Sequence, residues 1–497
     1  MRFRIQIVAV TEDGTEHFQE IADLMRSETK IETMGLTLEE SKQVLHKLQK
    51  TVVEHQVTAY LDQERPCPQC QKQRQIKDCD TSPFRTLFGV IQIPNPRWHH
   101  CACQEQEKRS FRPLATLLPE RTSPELLYLE TKWASLASYG ITSKLLHEVL
   151  PIDQRHSEVT IRNHLLRTAQ RQEQALGAEK VIFLEDSQAD RDRLSIPDGP
   201  LSVGLDGGIV RARRGKSGEK TPNLFEVIAG KSILSFRRDD PEDAPPSSKC
   251  FALVQGFDKK PKRRLFDLLQ SQGMQANQQV TFFSDGGDTV RKLQEYLNQD
   301  SEHILDWFHI TMRITVLQQC ARGLQKLRTS DTAPDATDKD KESLERRLES
   351  VKHYLWHGNS AKALDRLRDL EDALEEGWGC DEAGEKKPRP DNESAARMLK
   401  YVLELETYIT NNARFIVNYG ERYRNGERIS TGFAESTINQ VVSKRMVKKQ
   451  QMQWTPRGAH LLLQVRTQVL NEDWEEPFRK WYPNFRPVQT PTHQCRW

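Results

Sequence analysis

Two apolar runs that each end in an acidic residue and two glycines constrain the fold of this chain more than any other feature. Residues 201–205 (Leu-Ser-Val-Gly-Leu) precede Asp206, and residues 280–284 (Val-Thr-Phe-Phe-Ser) precede Asp285. Short apolar runs of this kind predict buried strands. An acidic residue at a strand end, with glycines behind it, can point into a cleft that the backbone leaves open. One Asp before Gly-Gly is more often a turn residue, but this chain has the pattern twice.

A third acidic residue, Glu435, lies in residues 431–437 (Thr-Gly-Phe-Ala-Glu-Ser-Thr), at the start of a stretch that is typical of a helix. Three carboxylates brought together from two strands and a helix can hold two divalent cations about 3.5–4 Å apart, the arrangement that cuts and joins phosphodiesters. Asp206, Asp285 and Glu435 are therefore our candidate metal ligands and catalytic residues.

The basic residues of the chain are clustered, although its formal net charge is only +2. A basic run is more often a solvated face than a nucleic-acid site. Two of the runs, however, follow candidate acids, where a polyanionic substrate would have to lie. The candidate DNA contacts in these runs are Arg211, Arg213 and Arg214 after the first acid, and Lys444, Arg445, Lys448 and Lys449 after the third.

Two closely spaced pairs of cysteines indicate a metal site. Cys67 and Cys70 form a CxxC pair, and Cys101 and Cys103 form a CxC pair. Thiolates in pairs on two knuckles fit a tetrahedral zinc site, and four thiolates leave no open position for chemistry. We expect one structural Zn²⁺ here, in a zinc ribbon over residues 65–110. A redox-active CxxC and unrelated free thiols are the alternatives.

The segment between the cysteine pairs predicts a hairpin. Residues 86–93 are typical of a strand, residues 94–96 (Pro-Asn-Pro) of a turn and residues 97–100 of the returning strand. This hairpin would bring the two knuckles together. Three residues in the region can substitute as zinc ligands: Cys79, His99 and His100.

Residues 123–173 predict short helices separated by tight turns. Ser123 and Pro124 have the pattern of a helix N-terminus, with a capping hydroxyl and a proline at the first helical position. Such an arrangement resembles a helix-turn-helix, with Arg162 and Asn163 near the start of its last helix as candidate DNA contacts. A plain helical linker is the alternative.

The length of 497 residues predicts two to four domains. Apolar runs bounded by polar residues indicate a mixed sheet between about 178 and 310, and the charged, amphipathic pattern that follows indicates an inserted helical subdomain. The expected boundaries are 1–64 for an N-terminal α/β segment, 65–110 for the zinc ribbon and 123–173 for the helix-turn-helix-like region. The catalytic domain is expected at 178–310 (first part) and 421–480 (last part), with the helical insertion at 311–420 and a C-terminal tail at 481–497.

Three features bear on where the protein acts. The chain has no run of 18 apolar residues, so we expect no membrane span. The alternating N-terminus is not a secretory signal, and nine unevenly spaced cysteines favour a reducing compartment. We expect a cytoplasmic protein.

The order of these elements along the chain resembles that of the DDE transposases of bacterial insertion sequences. The order is the cysteine knuckles, the helical segment, the two strand–Asp elements, Asp-Trp-Phe-His at 306–309 and Gly-Phe-Ala-Glu-Ser-Thr at 432–437. The chain is most similar to the ISKra-four type, and the Mutator-like and ISL-three types are more distant. The resemblance covers nearly the whole chain. Its most specific pieces are residues 305–309, residues 355–358 and the run from Ile429 through Glu435, Arg445, Trp454 and Gly458 to Arg466.

The resemblance implies a fold and a set of roles. The mixed sheet would be an RNase H-like catalytic domain interrupted by the helical insertion. Asp206, Asp285 and Glu435 match the three acids, and Asp306 and His309 match a DxxH motif. The run before Glu435 reads Ser-Thr-Gly-Phe-Ala-Glu where Ser-Gly-x-Val-Glu is more usual, which leaves the Glu in place.

The implied reaction is two-metal phosphodiester hydrolysis and strand transfer at the ends of an insertion sequence. Carboxylates suit Mg²⁺ or Mn²⁺, with Asp206 bridging two ions and Asp285 and Glu435 each binding one. Asp306 and His309 would form an orienting pair near the catalytic acids or simply pack. The partners would be double-stranded DNA (terminal inverted repeats and target) and further copies of the chain, as a homodimer or larger assembly at the bacterial nucleoid.

Two other functions stay open from the sequence. One is a transposase-derived regulator that binds DNA without turnover, and the other is a nuclease that cuts but does not join. A zinc-ribbon scaffold with no metal-dependent activity is a third possibility.

Overall fold

The computed structural model describes most of the chain as two compact units. Residues Met1–Gln174 and Gln468–Trp497 form the first unit, and Ala175–Thr467 form the second. The chain is thus multidomain and mixed α/β. The described residues are 1–11, 14–28, 30–103, 110–152, 156–181, 183, 188–213, 223–235, 246–287, 301–331, 344–375, 379–380, 386–387, 393–447 and 452–486.

The first unit begins with a hairpin, a long helix and a small sheet. Thr37 caps the helix, because its hydroxyl accepts from the Glu40 amide and the Glu40 carboxylate accepts from the Thr37 amide. The elements are β1 (Arg2–Val10), β2 (Glu16–Met25), α1 (Leu38–Glu64), β3 (Ile76–Thr86), β4 (Gly89–His99), β5 (Ser110–Phe111) and α2 (Leu114–Leu117).

The hairpin between the cysteine pairs turns at a different place from the one that the sequence predicts. The turn lies at Leu87 and Phe88, and Gly89 follows it with φ +117°, so a turn at 94–96 is wrong. Pro94 and Pro96 lie inside β4. They are tolerated there because β5 pairs with Trp98 and His99, and within the described residues the proline part of β4 has no second neighbouring strand.

The remaining helices of the first unit pack around aromatic side chains. They are α3 (Pro124–Leu136), α4 (Tyr139–Val149) and α5 (Glu158–Ala175), with a C-terminal helix (Glu475–Trp481) that returns to them. The Ser123 hydroxyl accepts from the Leu126 amide and Pro124 is the first helical residue, which confirms the predicted N-terminus. The Trp474 indole donates to Thr131 across 3.2 Å, and Tyr128 contacts Phe478 edge-on.

A five-stranded mixed sheet forms the centre of the second unit. Its strands are β6 (Leu201–Arg211), β7 (Leu224–Leu234), β8 (Ser247–Val254), β9 (Val280–Ser284) and β10 (Glu302–Leu305), in the spatial order β10-β9-β6-β7-β8. The pairs β6–β7 and β7–β8 are antiparallel, whereas β6–β9 and β9–β10 are parallel. The short helix α6 (Gln188–Arg191) precedes the sheet, and α7 (Pro261–Ser271) connects β8 to β9.

One face of the sheet is covered by α7. Leu265 and Leu269 are fully buried against Val203, Leu205 and Phe282. Such a core stabilises the sheet by about 25 cal/mol for each Å² of apolar surface removed from water. The apolar run at 181–184 forms no strand at residues 181 and 183, and residues 182 and 184 lie outside the described part of the chain.

A helical bundle follows the last strand. Its helices are α8 (Trp307–Asp331), α9 (Leu344–Trp356), α10 (Ser360–Glu375) and α11 (Glu393–Asn412), with the two-residue strands β11 (Gly379–Cys380) and β12 (Lys386–Lys387) before α11. Their apolar side chains form one core that also includes Phe283 and Leu305 of the sheet. Helices α9 and α10 are joined across residues 356–359, in agreement with the predicted helical insertion, whereas residues 288–300 lie outside the described part of the chain.

The chain then returns to the sheet through α12 (Tyr419–Arg424), α13 (Gly432–Ile438), a π-helix (Asn439–Val447) and α14 (Pro456–Leu470), before α15, the C-terminal helix of the first unit. Arg466 donates to the carbonyls of Val441 (2.8 Å) and Gln440 (2.6 Å) in the π-helix. Burial, followed by the charge of Arg445, lowers the pKa of Arg466 to about 10. Among the described helices, none has the length and apolar character needed to cross a membrane.

Candidate active site and metal centres

Asp206 lies inside a strand and not at its end. β6 continues through Gly207 and Gly208 to Arg211 because it stays paired with β7, and Asp206 lies opposite Ala229. The expectation that β6 ends at Asp206 is therefore wrong. Parallel pairing with β9, however, extends only to Gly204 opposite Phe283. Asp206 thus lies just beyond the point where parallel pairing stops, and its Oδ1 accepts from the Gly207 amide across 2.8 Å.

Asp285 does follow the end of its strand, as predicted. β9 ends at Ser284, and the Asp285 Oδ1 accepts from the Gly287 amide across 3.0 Å. Since Gly204 pairs with Phe283 in parallel register, Asp206 and Asp285 occupy equivalent positions two residues further along neighbouring strands. The sheet therefore places both acids at the same edge.

The turn behind Asp285 requires glycine for two separate reasons. Gly286 has φ +86°, a conformation that side chains with a Cβ rarely adopt. A Cβ at Gly286 would also lie 2.5 Å from Oδ1 of Asn412, at the end of α11. Asn412 is almost fully buried and its Nδ2 donates to the Tyr408 carbonyl across 2.9 Å. The bundle therefore packs directly against the backbone that presents Asp285.

Asp306 follows the third parallel strand and is completely buried. Its carboxylate accepts hydrogen bonds from the amides of Phe308 (2.9 Å) and Thr431 (3.0 Å), from the Thr431 hydroxyl, and from Nδ1 of His309 (3.0 Å). Trp307 also donates its amide to the Ile429 carbonyl across 3.3 Å. Asp306 thereby fixes the segment that enters α13, which contains Glu435.

His309 lies within the electric field of the acids. The hydrogen bond to Asp306 raises the pKa of His309 above its ordinary value, and the charges of Asp306, Asp285 and Asp206 add to the rise, against burial. The imidazole is partly exposed while Asp306 is buried. A protonated His309 can therefore face the region in front of the two strand acids.

The helix that contains Glu435 packs on the strand that contains Asp206. A Cβ at Gly208 would lie 3.4 Å from Cγ2 of Ile438 and 3.7 Å from Cγ1 of Val442, so this glycine permits close approach of α13 and the π-helix to β6. Glu435 lies in α13, and its side chain is outside the described residues. The backbone thus brings the third acid's helix to the same strand as the first acid.

The predicted basic contacts fall into three groups. Arg211 and Arg213, just beyond the Asp206 segment, are exposed, as is Lys444 of the π-helix; on α5 of the first unit, Arg162 and Asn163 are also exposed. Arg445 is completely buried and stacks over the Trp454 ring at 5.2 Å, so its predicted contact with DNA is wrong. Outside the described residues lie Arg214, Lys448 and Lys449.

The four predicted zinc ligands lie together in the first unit. The sulfur atoms of Cys67 and Cys103 are 3.5 Å apart, those of Cys70 and Cys101 are 3.3 Å apart, and all four lie within 4.8 Å of one another. Zn–S bonds of about 2.3 Å in a tetrahedron need sulfur atoms at such separations. The cluster is therefore compatible with structural zinc.

Backbone geometry prepares this cluster for a cation. The backbone amides of Cys70 and Gln69 lower the pKa of the Cys67 thiol to about 6, while Cys101 and the other sulfurs raise the pKa of Cys103 to about 12. Without a cation, the four sulfurs cannot all carry negative charge. A zinc ion removes this conflict because it binds thiolates and displaces their protons.

Three residues near the candidate active site are not indicated by the sequence. Asn412 contacts Gly286, and Arg313 lies over the Tyr408 ring at 4.3 Å. Burial raises the pKa of Tyr408 well above its ordinary value, which means that it stays neutral. All three lie on amphipathic helices, where nothing in the periodicity distinguishes a residue that supports the active site from an ordinary core residue.

Comparison with known proteins does not place this chain in a family: no family model matches it, and no curated protein matches it.

Proposed function

We propose that this protein is a DDE-type DNA transposase that cuts and joins DNA at the ends of an insertion sequence. The sheet unit would be an RNase H-like catalytic domain with Asp206, Asp285 and Glu435 as its catalytic acids. The observation that carries the proposal is the parallel register of β6 and β9, which aligns the first two acids at one edge of the sheet.

The third acid is supported by the packing of its helix. α13 lies against β6 at Gly208, two residues beyond Asp206, and Asp306 holds Thr431 just before the helix. Two independent contacts thus direct the helix that contains Glu435 toward the strand acids.

The donor set fits hard divalent cations. Asp206 and Asp285 offer carboxylate oxygens without thiolates, and such ligands suit Mg²⁺ or Mn²⁺. Asp206, Asp285 and Glu435 would hold two of these ions, which when bound supply an activated nucleophile and stabilise the leaving oxygen. His309 would carry a proton and positive charge beside the phosphate, because its pKa is raised.

The DNA path is supported by exposed basic residues that follow the first and third acids along the chain. Arg211 and Arg213 follow Asp206 along β6, and Lys444 follows the Glu435 helix. Phosphate contacts of this kind position DNA without reading its sequence. The cysteine cluster and helices α3–α5 would bind the terminal inverted repeats, and synapsis of two ends would require a homodimer or a larger assembly.

A cleavage and strand-transfer assay tests the proposal. Labelled DNA that carries the repeats flanking the gene is incubated with the full chain and Mg²⁺, Mn²⁺ or Ca²⁺. We expect cutting and joining with Mg²⁺ or Mn²⁺, and loss of both in the Asp206→Asn, Asp285→Asn and Glu435→Gln variants, which still bind the DNA.

The matched control is Asp365→Asn, which makes the same chemical change at an exposed position on α10. This variant should react like the wild type. Cutting without joining would indicate a nuclease, and DNA binding without reaction under any divalent cation would indicate a regulator. Equal activity in the three acid variants would refute the catalytic assignment.

A further inference from the structure

A second group of metal-ligating side chains is buried in the first unit, away from the cysteine cluster. It consists of Glu130 on α3, His156 just before α5 and His164 on α5. Their exposed fractions are 0%, 3% and 4%. One oxygen of Glu130 lies 2.6 Å from Nδ1 of His164, and the other lies 2.7 Å from Nε2 of His156.

The two contacts of Glu130 differ in their alignment. Nδ1 of His164 and Oε2 of Glu130 have the geometry of a hydrogen bond. Nε2 of His156 and Oε1 of Glu130 do not, although they are close, and both atoms are buried without a hydrogen-bond partner. The His156 nitrogen therefore lies close to this oxygen without the alignment of a hydrogen bond. Buried polar atoms are rarely left in this state without a ligand or ion.

The negative charge of Glu130 is a second reason to expect a bound cation in this group. A carboxylate removed from water is strongly unfavourable unless a cation compensates it. The two imidazoles beside it can each offer a nitrogen to a metal ion that carries the compensating charge. A cation between the three side chains would compensate Glu130 and use the unsatisfied atoms of Glu130 and His156 together.

We propose that Glu130, His156 and His164 form a second structural zinc site, with four ligand atoms from two imidazoles and both oxygens of one carboxylate. Imidazole and carboxylate are ordinary zinc ligands at about 2.0–2.2 Å. The ligand atoms would have to separate by less than about 1 Å from their present positions to reach those bond lengths. Burial of all three side chains leaves no path for a substrate, so the role is structural.

The surroundings already hold His156 in place. The His156 carbonyl accepts from Ser143 Oγ across 3.2 Å and lies 3.1 Å from Nε2 of His147, both on α4. A zinc ion at this site would therefore join α3, α4 and the start of α5. The exposed Arg162 and Asn163 lie on the first turns of that last helix, so the ion would fix the direction in which they point.

Metal content and cobalt spectra of the full chain test this site. We expect two zinc ions per wild-type chain, one in the Cys67→Ser/Cys70→Ser variant and one in the His156→Gln/His164→Gln variant. After exchange for Co²⁺, the cysteine variant should keep a tetrahedral d–d spectrum that lacks thiolate charge-transfer absorption. The wild type should show both kinds of absorption.

The control is His55→Gln, which changes an exposed histidine on α1 that is not a ligand and should leave two zinc ions. One zinc ion in the wild type, lost completely in the cysteine variant, would overturn the proposal and leave Glu130 as a carboxylate hydrogen-bonded to His164. If a double variant fails to fold, the zinc count and the Co²⁺ spectrum of the wild type still decide the question.

Discussion

Asp306 shows how one buried side chain can organise a site that it does not enter. Four donors converge on its carboxylate, two of them from Thr431. In Asp306→Asn, an amide group replaces one acceptor oxygen, so some of these donors lose their partner. We expect the free energy of unfolding to fall by about 1–3 kcal/mol and strand cleavage to fall by about 10–100-fold, as for other groups that orient ligands. Chemical denaturation and the cleavage assay measure the two effects.

Substitutions of Thr431 separate orientation from stability. Thr431→Ser keeps the hydroxyl and should behave like the wild type, whereas Thr431→Val loses it and should lower the apparent affinity for Mg²⁺. If the Asp306→Asn variant cleaves DNA at the wild-type rate at both saturating and low Mg²⁺, Asp306 does not position the proposed catalytic acids.

The pKa of His309 reports on ions near the acids. Asp306 raises this pKa, and Asp285 and Asp206 contribute. Bound cations should cancel the charges of Asp285 and Asp206, so added Mg²⁺ should lower the His309 pKa toward the ordinary value of about 6.5. Histidine NMR titrations with and without Mg²⁺ measure the change. In Asp285→Asn the pKa should already be lower, and Mg²⁺ should have less effect.

The same shift has a consequence for stability. Because the folded-state pKa is raised, protonated His309 stabilises the fold below its unfolded-state pKa, and this stabilisation is lost as the pH rises through the folded-state pKa. His309→Gln should remove this part of the pH dependence of unfolding. An identical pH dependence in the variant would mean that the pKa of His309 is not raised by its neighbours.

At the scale of elements, the turn behind Asp285 couples the sheet to the bundle. Gly286→Ala must strain a backbone with φ +86° and push against Asn412. Backbone strain alone costs about 1–3 kcal/mol. Gly256→Ala is the matched control, because Gly256 has φ +74° but nothing within 4 Å of the added Cβ. We expect Gly286→Ala to lower the free energy of unfolding more than Gly256→Ala.

A double-mutant cycle isolates the contact between the turn and α11. Asn412→Ala removes the atoms that the new Cβ would meet, so it should recover part of the loss in Gly286→Ala. Additive effects of the two substitutions would show that strain in the turn, and not the end of α11, sets the cost.

Elements with a strong local signal could be predicted from the sequence. The strands at 201–211 and 280–284 have apolar runs, and α3 has a capping serine followed by proline. The turn at 87–88 was missed because Pro94-Asn95-Pro96 is the stronger local turn signal, and pairing along an open edge overrides it. The π-helix at 439–447 has no local signal of its own, since it is supported by Arg466 of a later helix, which donates to the carbonyls of Gln440 and Val441.

At the scale of the candidate site, the sequence identifies single residues, whereas only the structure shows which of them lie together. Asp206 and Asp285 could be recognised from their local pattern, whereas their alignment depends on a register between strands that are about 80 residues apart in the chain. The burial of Arg445 could not be read from a run of basic residues, because it depends on Trp454. Contacts between distant parts of the chain therefore determine which of the residues that a sequence motif suggests lie in one site.

At the scale of the whole molecule, zinc removal should affect the two units differently. Cys67, Cys70, Cys101 and Cys103 all lie in the first unit, while the five-stranded sheet lies in the second. A zinc chelator should abolish hydrogen-exchange protection in β3 and β4, because the expected zinc ion would contribute to folding there. Amides of β6 and β9 should stay protected. Equal loss of protection in both units would contradict the assignment of separate cores.

The distance along the chain between Asp285 and Glu435 delays assembly of the proposed active site while the chain is being synthesised. About 150 residues, including the whole bundle, separate the second acid from the third. A ribosome that adds ~5–20 residues per second needs several seconds or more to cover that stretch. Asp306 likewise cannot accept its hydrogen bonds from Thr431 until that residue has been synthesised. A nascent chain can therefore form the strands of its sheet before the third acid of the proposed active site has been synthesised.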